Sequence, residues 1–121
     1  LYQAVGWTNY TNQPQMLEQA LSHSLVIYLA LDGDAVVGLI RLVGDGFSSV
    51  FVQDLIVLPS YQRQGIGRSL MKEALEDYKD AYQVQLVTEE TEKNVGFYRS
   101  MGFEILSTYN CIGMTWANRK K

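Results

Sequence analysis

The stretch Val57-Leu-Pro-Ser-Tyr-Gln-Arg-Gln-Gly-Ile-Gly-Arg-Ser-Leu70 constrains this chain more than any other. An apolar run reaches Pro59, turns, and opens a helix through Gln62-x-x-Gly65-x-Gly67. Glycines at such a junction let main-chain N–H groups approach an anion closely, because no Cβ intervenes. The first N–H groups of a helix have no internal partner and carry the positive end of the helix dipole. The junction therefore predicts a diphosphate seat. It is not a P-loop, because no Lys follows Gly67, and not a dinucleotide fingerprint, because Leu70 stands where a third glycine belongs. Two glycines alone also fit an ordinary tight turn. The strand before them and the amphipathic helix after them favour the anion.

At 121 residues and 47% apolar content, one packed domain over residues 1–121 is expected. The net charge of −3 argues against a nucleic-acid partner, which calls for a basic stripe. The one basic cluster, Arg119-Lys-Lys121, reads as a frayed tail. There is one cysteine, Cys111, and one histidine, His23, so no intrachain disulfide forms. That fits a reducing cytoplasm, which is the expected location. No apolar run is long enough to span a bilayer, so no membrane partner is expected. No metal site is expected either. The chain starts at Leu1 without Met, and a few residues are expected to precede it.

Along the chain, Tyr2 to Val5 reads as the end of a helix closed at Gly6, and Pro14 as a helix start capped by Thr11 or Asn12. Leu25 to Leu31, Ala35 to Val43 and Ser49 to Leu58 read as an antiparallel meander, with turns at Asp32-Gly33-Asp34 and Asp45-Gly46. The helix after the glycines carries Leu70, Met71, Ala74, Leu75 and Tyr78 on one face. Tyr82 to Thr88 is the next strand, and a right-handed crossover makes it parallel to the strand before the helix. Thr91 to Met101 is the last helix, ended by Gly102. Phe103–Ser107 and Asn110–Trp116 read as two closing strands, and the last offers an edge for a homodimer. The fold class is α/β (α+β), with helices flanking a mixed, mostly antiparallel sheet.

Two segments carry a family resemblance. Asp54-Leu-Ile-Val-Leu-Pro-Ser-Tyr-Gln-Arg-Gln-Gly-Ile-Gly-Arg68 resembles motif A of the GNAT superfamily of acetyl-CoA-dependent N-acetyltransferases, and Asn94-Val-Gly-Phe-Tyr-Arg-Ser-Met-Gly-Phe103 resembles motif B. They stand in the family's order, and the likeness covers most of the chain from Val26 onward. The ends of the chain are also loosely similar to a plastid and bacterial subgroup. The resemblance implies a central parallel strand pair that splays to admit the pantetheine arm of coenzyme A. It also implies a first strand before Leu1.

Acetyl-CoA is the co-substrate so implied. Its diphosphate would accept N–H bonds from Gln64, Gly65, Ile66, Gly67 and Arg68, with side-chain contacts from Gln62 and Arg63. For Arg63 and Arg68 a solvated surface position is the competing reading. The backbone of Leu55, Ile56 and Val57 would pair with pantetheine like an added strand and polarise the thioester carbonyl. The resemblance makes Tyr98 the acid that protonates the leaving thiolate, against a packing role at the sheet rim. The family often has Asn and Ala where Thr91 and Asn94 stand. Thr91 caps the helix or bonds the coenzyme, and Asn94 takes a polar contact or sits exposed.

Asp54 is the candidate general base, directly or through water, with an anchoring carboxylate as an equal alternative. Phe51 and Gln53 face the other side if the strand is regular. Glu89 and Glu90 are weaker candidates, and some relatives use water alone. Cys111 with His23 lacks a nucleophile motif. Trp7, Tyr10 and Trp116 line the acceptor side or pack the core. The function implied is transfer of an acetyl group to a primary amine by direct attack in a ternary complex. The acceptor is a protein N-terminus, a lysine, a polyamine or another small amine, since an acidic protein suits cations. A non-catalytic coenzyme A-binding module is the alternative.

Overall fold

The structure is a computed structural model and describes residues 1–117. The expected basic tail at Arg119–Lys121 lies outside the described residues. The elements run α1 (Thr8–Thr11), α2 (Pro14–Ser22), β1 (Val26–Asp32), β2 (Ala35–Gly44), β3 (Ser49–Val57), a 3-10 turn (Pro59–Tyr61), α3 (Ile66–Asp77), β4 (Gln83–Leu86), α4 (Glu92–Ser100) and a second 3-10 turn (Leu106–Tyr109). They divide into two compact units, Leu1–Leu86 and one from Val87 onward.

In the first unit the strands lie in the order β1-β2-β3-β4. β1/β2 and β2/β3 are antiparallel, and β3/β4 is parallel across the α3 crossover, as the periodicity implied. The β2–β3 turn is built on Asp45. Its Oδ1 accepts from the N–H groups of Phe47, Ser48 and Ser49, and its Oδ2 from the Ser48 hydroxyl. The Ser48 hydroxyl and these N–H groups hold the Asp45 carboxyl well below its ordinary range.

One irregularity decides which side chains share a face. Leu42 lies opposite Val52, but Arg41 lies opposite Asp54, so Gln53 is an extra residue on β3. Paired residues project to the same side of a sheet, and successive residues alternate. Val50 and Val52 therefore share a face with Gly38, Ile40 and Leu42, while Asp54 and Ile56 join Leu39 and Arg41 on the other. The regular alternation expected of β3 is thus wrong on one point. By its pairing with Val43, Phe51 lies on the Asp54 side rather than opposite it. The extra residue is absorbed as a bulge.

α3 covers the first face. Leu70, Met71 and Ala74 are buried there with the fully buried Ile40 and Leu42. Gly38 lets the helix come close, since a Cβ at that position would stand 3.0 Å from Ile66 Cγ2. The other face buries Leu39 and Ile56 under Tyr2, with Trp7, Tyr10, Leu17 and Leu21 around them. The N-terminal residues form turns, not the expected helix end, and the one-turn α1 begins after Gly6. Pro14 opens α2 as expected, but its N-cap is Gln13, with no side-chain cap from Thr11 or Asn12.

In the second unit, Thr91 Oγ1 accepts from Asn94 N at 3.1 Å and caps α4. Gly102, at φ 101°, ends it, with Gly102 N–H bonded to Arg99 O and Phe103 N–H to Tyr98 O. The two closing strands do not form. Residues 103–116 hold the second 3-10 turn, closed by Asn110 in the left-handed region, and otherwise irregular backbone. Apolar residues such as Ile112, Met114 and Trp116 favour strand only when a partner ladder satisfies the backbone. Among the described residues none pairs with them. The edge on which a homodimer was expected is therefore not built in this segment.

Candidate active site

The junction after β3 is a helix start without a cap. Pro59–Tyr61 tightens the chain into a 3-10 turn, and the Tyr61 hydroxyl donates to Asp32 Oδ2 at 2.6 Å, tying it to the end of β1. That bond to Asp32 raises the Tyr61 hydroxyl above its ordinary value. Gln62 Nε2 donates to Val57 O at 3.0 Å. The Gln62 side chain thus braces the loop to the end of β3, a contact not foreseen for a residue expected to face the diphosphate. Arg63 (φ 65°) and Gly65 (φ 84°) both take the left-handed conformation, which glycine adopts without strain and arginine does not.

Gly65 is the N-cap of α3. No side chain caps the helix, and no acidic residue lies in its first turn. The helical N–H groups of Ile66 and Gly67, at the first two positions of the helix, therefore lack intrahelical acceptors. A Cβ at Gly65 would meet nothing within 4 Å, so the space over this end is open. Unsatisfied donors, an aligned dipole and open space fit a diphosphate.

Beside the loop, β3 offers a free edge. Its parallel pairing with β4 covers Ser49 to Val52 and stops at Val52↔Leu86. Residues 54–57 pair with β2 on one side only among the described residues. Leu55, Ile56 and Val57 lie in this free segment, where an extended ligand can add as a strand. The bulge at Gln53 falls where the parallel pairing ends, and a bulge bends and twists its strand.

Asp54 is buried, at 2% exposure, and accepts from three donors. Arg41 Nε and the Tyr2 hydroxyl each donate to Oδ2 at 2.7 Å, and the Tyr10 hydroxyl donates to Oδ1 at 3.1 Å. Arg41 is buried as well and also donates to Ala20 O and Ser24 Oγ. Burial pushes the Arg41 guanidinium down, and the Asp54 carboxylate more than offsets this, leaving it above its ordinary value. Burial, then the bond to Asp54, raises Tyr2 far above the usual tyrosine range. This is the geometry of the anchoring alternative for Asp54. Tyr2, Trp7 and Tyr10 pack ring against ring above it, with centroids 5.1–6.0 Å apart.

Sequence reasoning passed over Arg41 and Tyr2. The signal for Arg41 was legible: a lone charge inside the apolar run Val36 to Val43 must find a buried partner. Nothing comparable marked Tyr2.

In the second unit Tyr98 packs edge-on against Phe97 and Phe103. Burial raises its hydroxyl above the ordinary value. Asn94 Nδ2 donates to Glu89 O at 3.2 Å, so its side chain braces the turn before α4. Trp116 is exposed, and Cys111 is a free, exposed thiol. His23 Nδ1 lies 2.8 Å from Gln19 O at the end of α2. No group of His, Cys, Asp and Glu among the described residues is arranged to hold a metal ion.

An uncapped, glycine-rich helix start thus stands beside the free edge of a mixed sheet, an anion seat next to an unpaired strand segment. A family model described as Acetyltransferase (GNAT) domain matches residues 23–105. The chain belongs to the GNAT acetyltransferase family. It is 33% identical over 95 residues to serotonin N-acetyltransferase 2, chloroplastic, of Oryza sativa subsp. japonica, a match covering 75% of this chain and 48% of the rice protein. The chain thus spans about half the length of that relative. Among solved structures, a GNAT family acetyltransferase from Streptococcus pneumoniae TIGR4 is 86% identical, with a TM-score of 0.90 over 99% of this chain and 87% of that one. A GNAT family acetyltransferase from Elizabethkingia anophelis, with acetyl-CoA bound, shares the fold at 21% identity and TM-score 0.64, covering 88% and 75% of the two chains.

Proposed function

We propose that this protein transfers the acetyl group of acetyl-CoA to a primary amine by direct attack within a ternary complex. The observation that carries the reading is the uncapped start of α3 at Gly65, beside the free segment of β3. The acetyl-CoA bound in the Elizabethkingia relative supports the choice of carrier. The family match runs across both compact units, which supports a single acetyltransferase domain over residues 1–121.

In this reading the diphosphate takes N–H bonds from Gln64 to Arg68, with Arg63 adding charge, and Leu55, Ile56 and Val57 hold the pantetheine. Main-chain N–H groups of β3 polarise the thioester carbonyl, so negative charge that develops on its oxygen meets preorganised donors. The neutral amine attacks the carbonyl carbon. A C–N bond forms, the C–S bond breaks, and the thiolate takes a proton from the Tyr98 hydroxyl. The proton lost by the amine leaves through water, and water returns a proton to the Tyr98 oxygen, so the cycle closes. Tyr98 holds this role by its place in Tyr98-x-x-x-Gly102-Phe103. Its raised hydroxyl keeps the acid form throughout the neutral range. Asp54 is the anchor and not the base, because both its oxygens already accept hydrogen bonds.

The acceptor class is a cationic amine, and the cytoplasm is the compartment we assign. Protein N-termini, lysine peptides and polyamines belong in the first screen, and the name of the rice relative adds serotonin. The test supplies acetyl-CoA with each amine and detects the free thiol released. Thiol release that follows amine concentration is expected. Stabilisation of the fold by acetyl-CoA, with no turnover on any amine, would favour the binding module. Stabilisation by ATP alone would reject the carrier.

A further inference from the structure

The register of β3 beyond Val52 is not determined by hydrophobicity. Leu55, Ile56, Val57 and Leu58 are apolar at every position, so either face buries equally well after a one-residue slip. A β3 without the bulge would pair Arg41 with Gln53 and set Asp54 opposite Ile40. By parity that register turns the carboxylate toward the layer of Ile40, Leu42 and Met71, where side chains are apolar and fully buried. It also leaves the buried Arg41 guanidinium facing a neutral amide. An unpaired buried charge is among the costliest features a fold can carry. In the observed register Arg41 Nε and Asp54 Oδ2 meet at 2.7 Å, and the Tyr2 and Tyr10 hydroxyls complete the carboxylate's shell.

We propose that the buried Arg41–Asp54 pair sets the register of β3, forcing the Gln53 bulge and so holding residues 54–57 free of β4. Asp54 is then a positioning residue. It acts on the coenzyme through the strand that carries it, not through a proton. The inference rests on the acetyl-CoA reading for its functional consequence, while the register itself stands apart from that reading.

The experiment moves the carboxylate by one residue. In the double variant Gln53→Asp with Asp54→Leu, the ion pair to Arg41 can re-form only if the bulge is lost. Cross-strand backbone contacts by NMR report which residue lies opposite Arg41, and calorimetry with coenzyme A reports the site. The expected result is that the contact moves from position 54 to position 53 and coenzyme A binds at least ten-fold more weakly. A contact that stays at position 54 with wild-type affinity overturns the proposal.

Should that variant fail to fold, Arg41→Met with Asp54→Leu removes both charges and keeps the volume apolar. Two sets of cross-strand contacts and weaker coenzyme A binding are expected. A single bulged register with unchanged affinity overturns the proposal. So does a loss of turnover with register and affinity intact, which would make Asp54 the base. Wild-type protein that binds no coenzyme A would sink the carrier reading instead, and the NMR contacts would still judge the pair.

Discussion

At Asp54 two hydroxyls and a guanidinium converge on one carboxylate, and the consequences can be measured singly. Arg41→Ala leaves that carboxylate buried without its cation and is expected to cost about 3–5 kcal/mol in urea unfolding. Tyr2→Phe removes one donor from a buried acceptor and should cost about 1–3 kcal/mol. The pH dependence of the Tyr2 contribution has a definite sign. The folded hydroxyl is raised above its ordinary 10.0 by burial and by Asp54, so its stabilisation is complete below pH 10 and is lost as pH rises beyond it. The stability gap between wild type and Tyr2→Phe should therefore stay constant from pH 6 to about 9 and close above pH 10. Tyr98→Phe belongs to the chemistry instead. It should lower kcat by about 10²-fold or more while coenzyme A affinity holds, and equal turnover would remove Tyr98 from the mechanism. At this scale the sequence was legible at Gly65, where the glycine motif marked the start of α3. It was silent where a partner came from far along the chain, as when Tyr2 reaches Asp54 across 52 positions.

Among the elements, α3 is the one whose start matters more than its length. Gly65→Asp puts a negative charge where a diphosphate would sit, in a conformation aspartate tolerates better than most residues. Coenzyme A binding should fall below detection while the thermal midpoint moves by only a few degrees. Unaltered binding would remove the anion seat. Thr91→Ala tests the other helix start, where loss of the Oγ1 bond to Asn94 N should cost about 1 kcal/mol. The meander and the crossover were readable because apolar runs of strand length end at Asp-Gly turns, and α3 because its apolar face repeats regularly. Failures came at the ends of the chain. Tyr2 to Val5 lies in turns that set Tyr2 and Val5 against Leu39 and Ile56, and the two closing segments lack the ladder that β-branched and aromatic residues need.

For the whole molecule, a ligand that binds only the folded state raises its stability by mass action. Saturating acetyl-CoA at about 100 Kd should add about 2.7 kcal/mol, read as a rise in the urea midpoint that ATP does not reproduce. The sequence by itself determined the family, the meander, the crossover and the glycine-rich start of α3. Each is written in short-range spacing, where neighbours along the chain are neighbours in space. Only the tertiary structure decided the bulge at Gln53, the face on which Phe51 and Asp54 lie, and the convergence of Arg41, Tyr2 and Tyr10 on one carboxylate. The physical reason is that strand register is a property of two strands together. A run apolar at every position leaves it open until a buried charge finds its counter-charge.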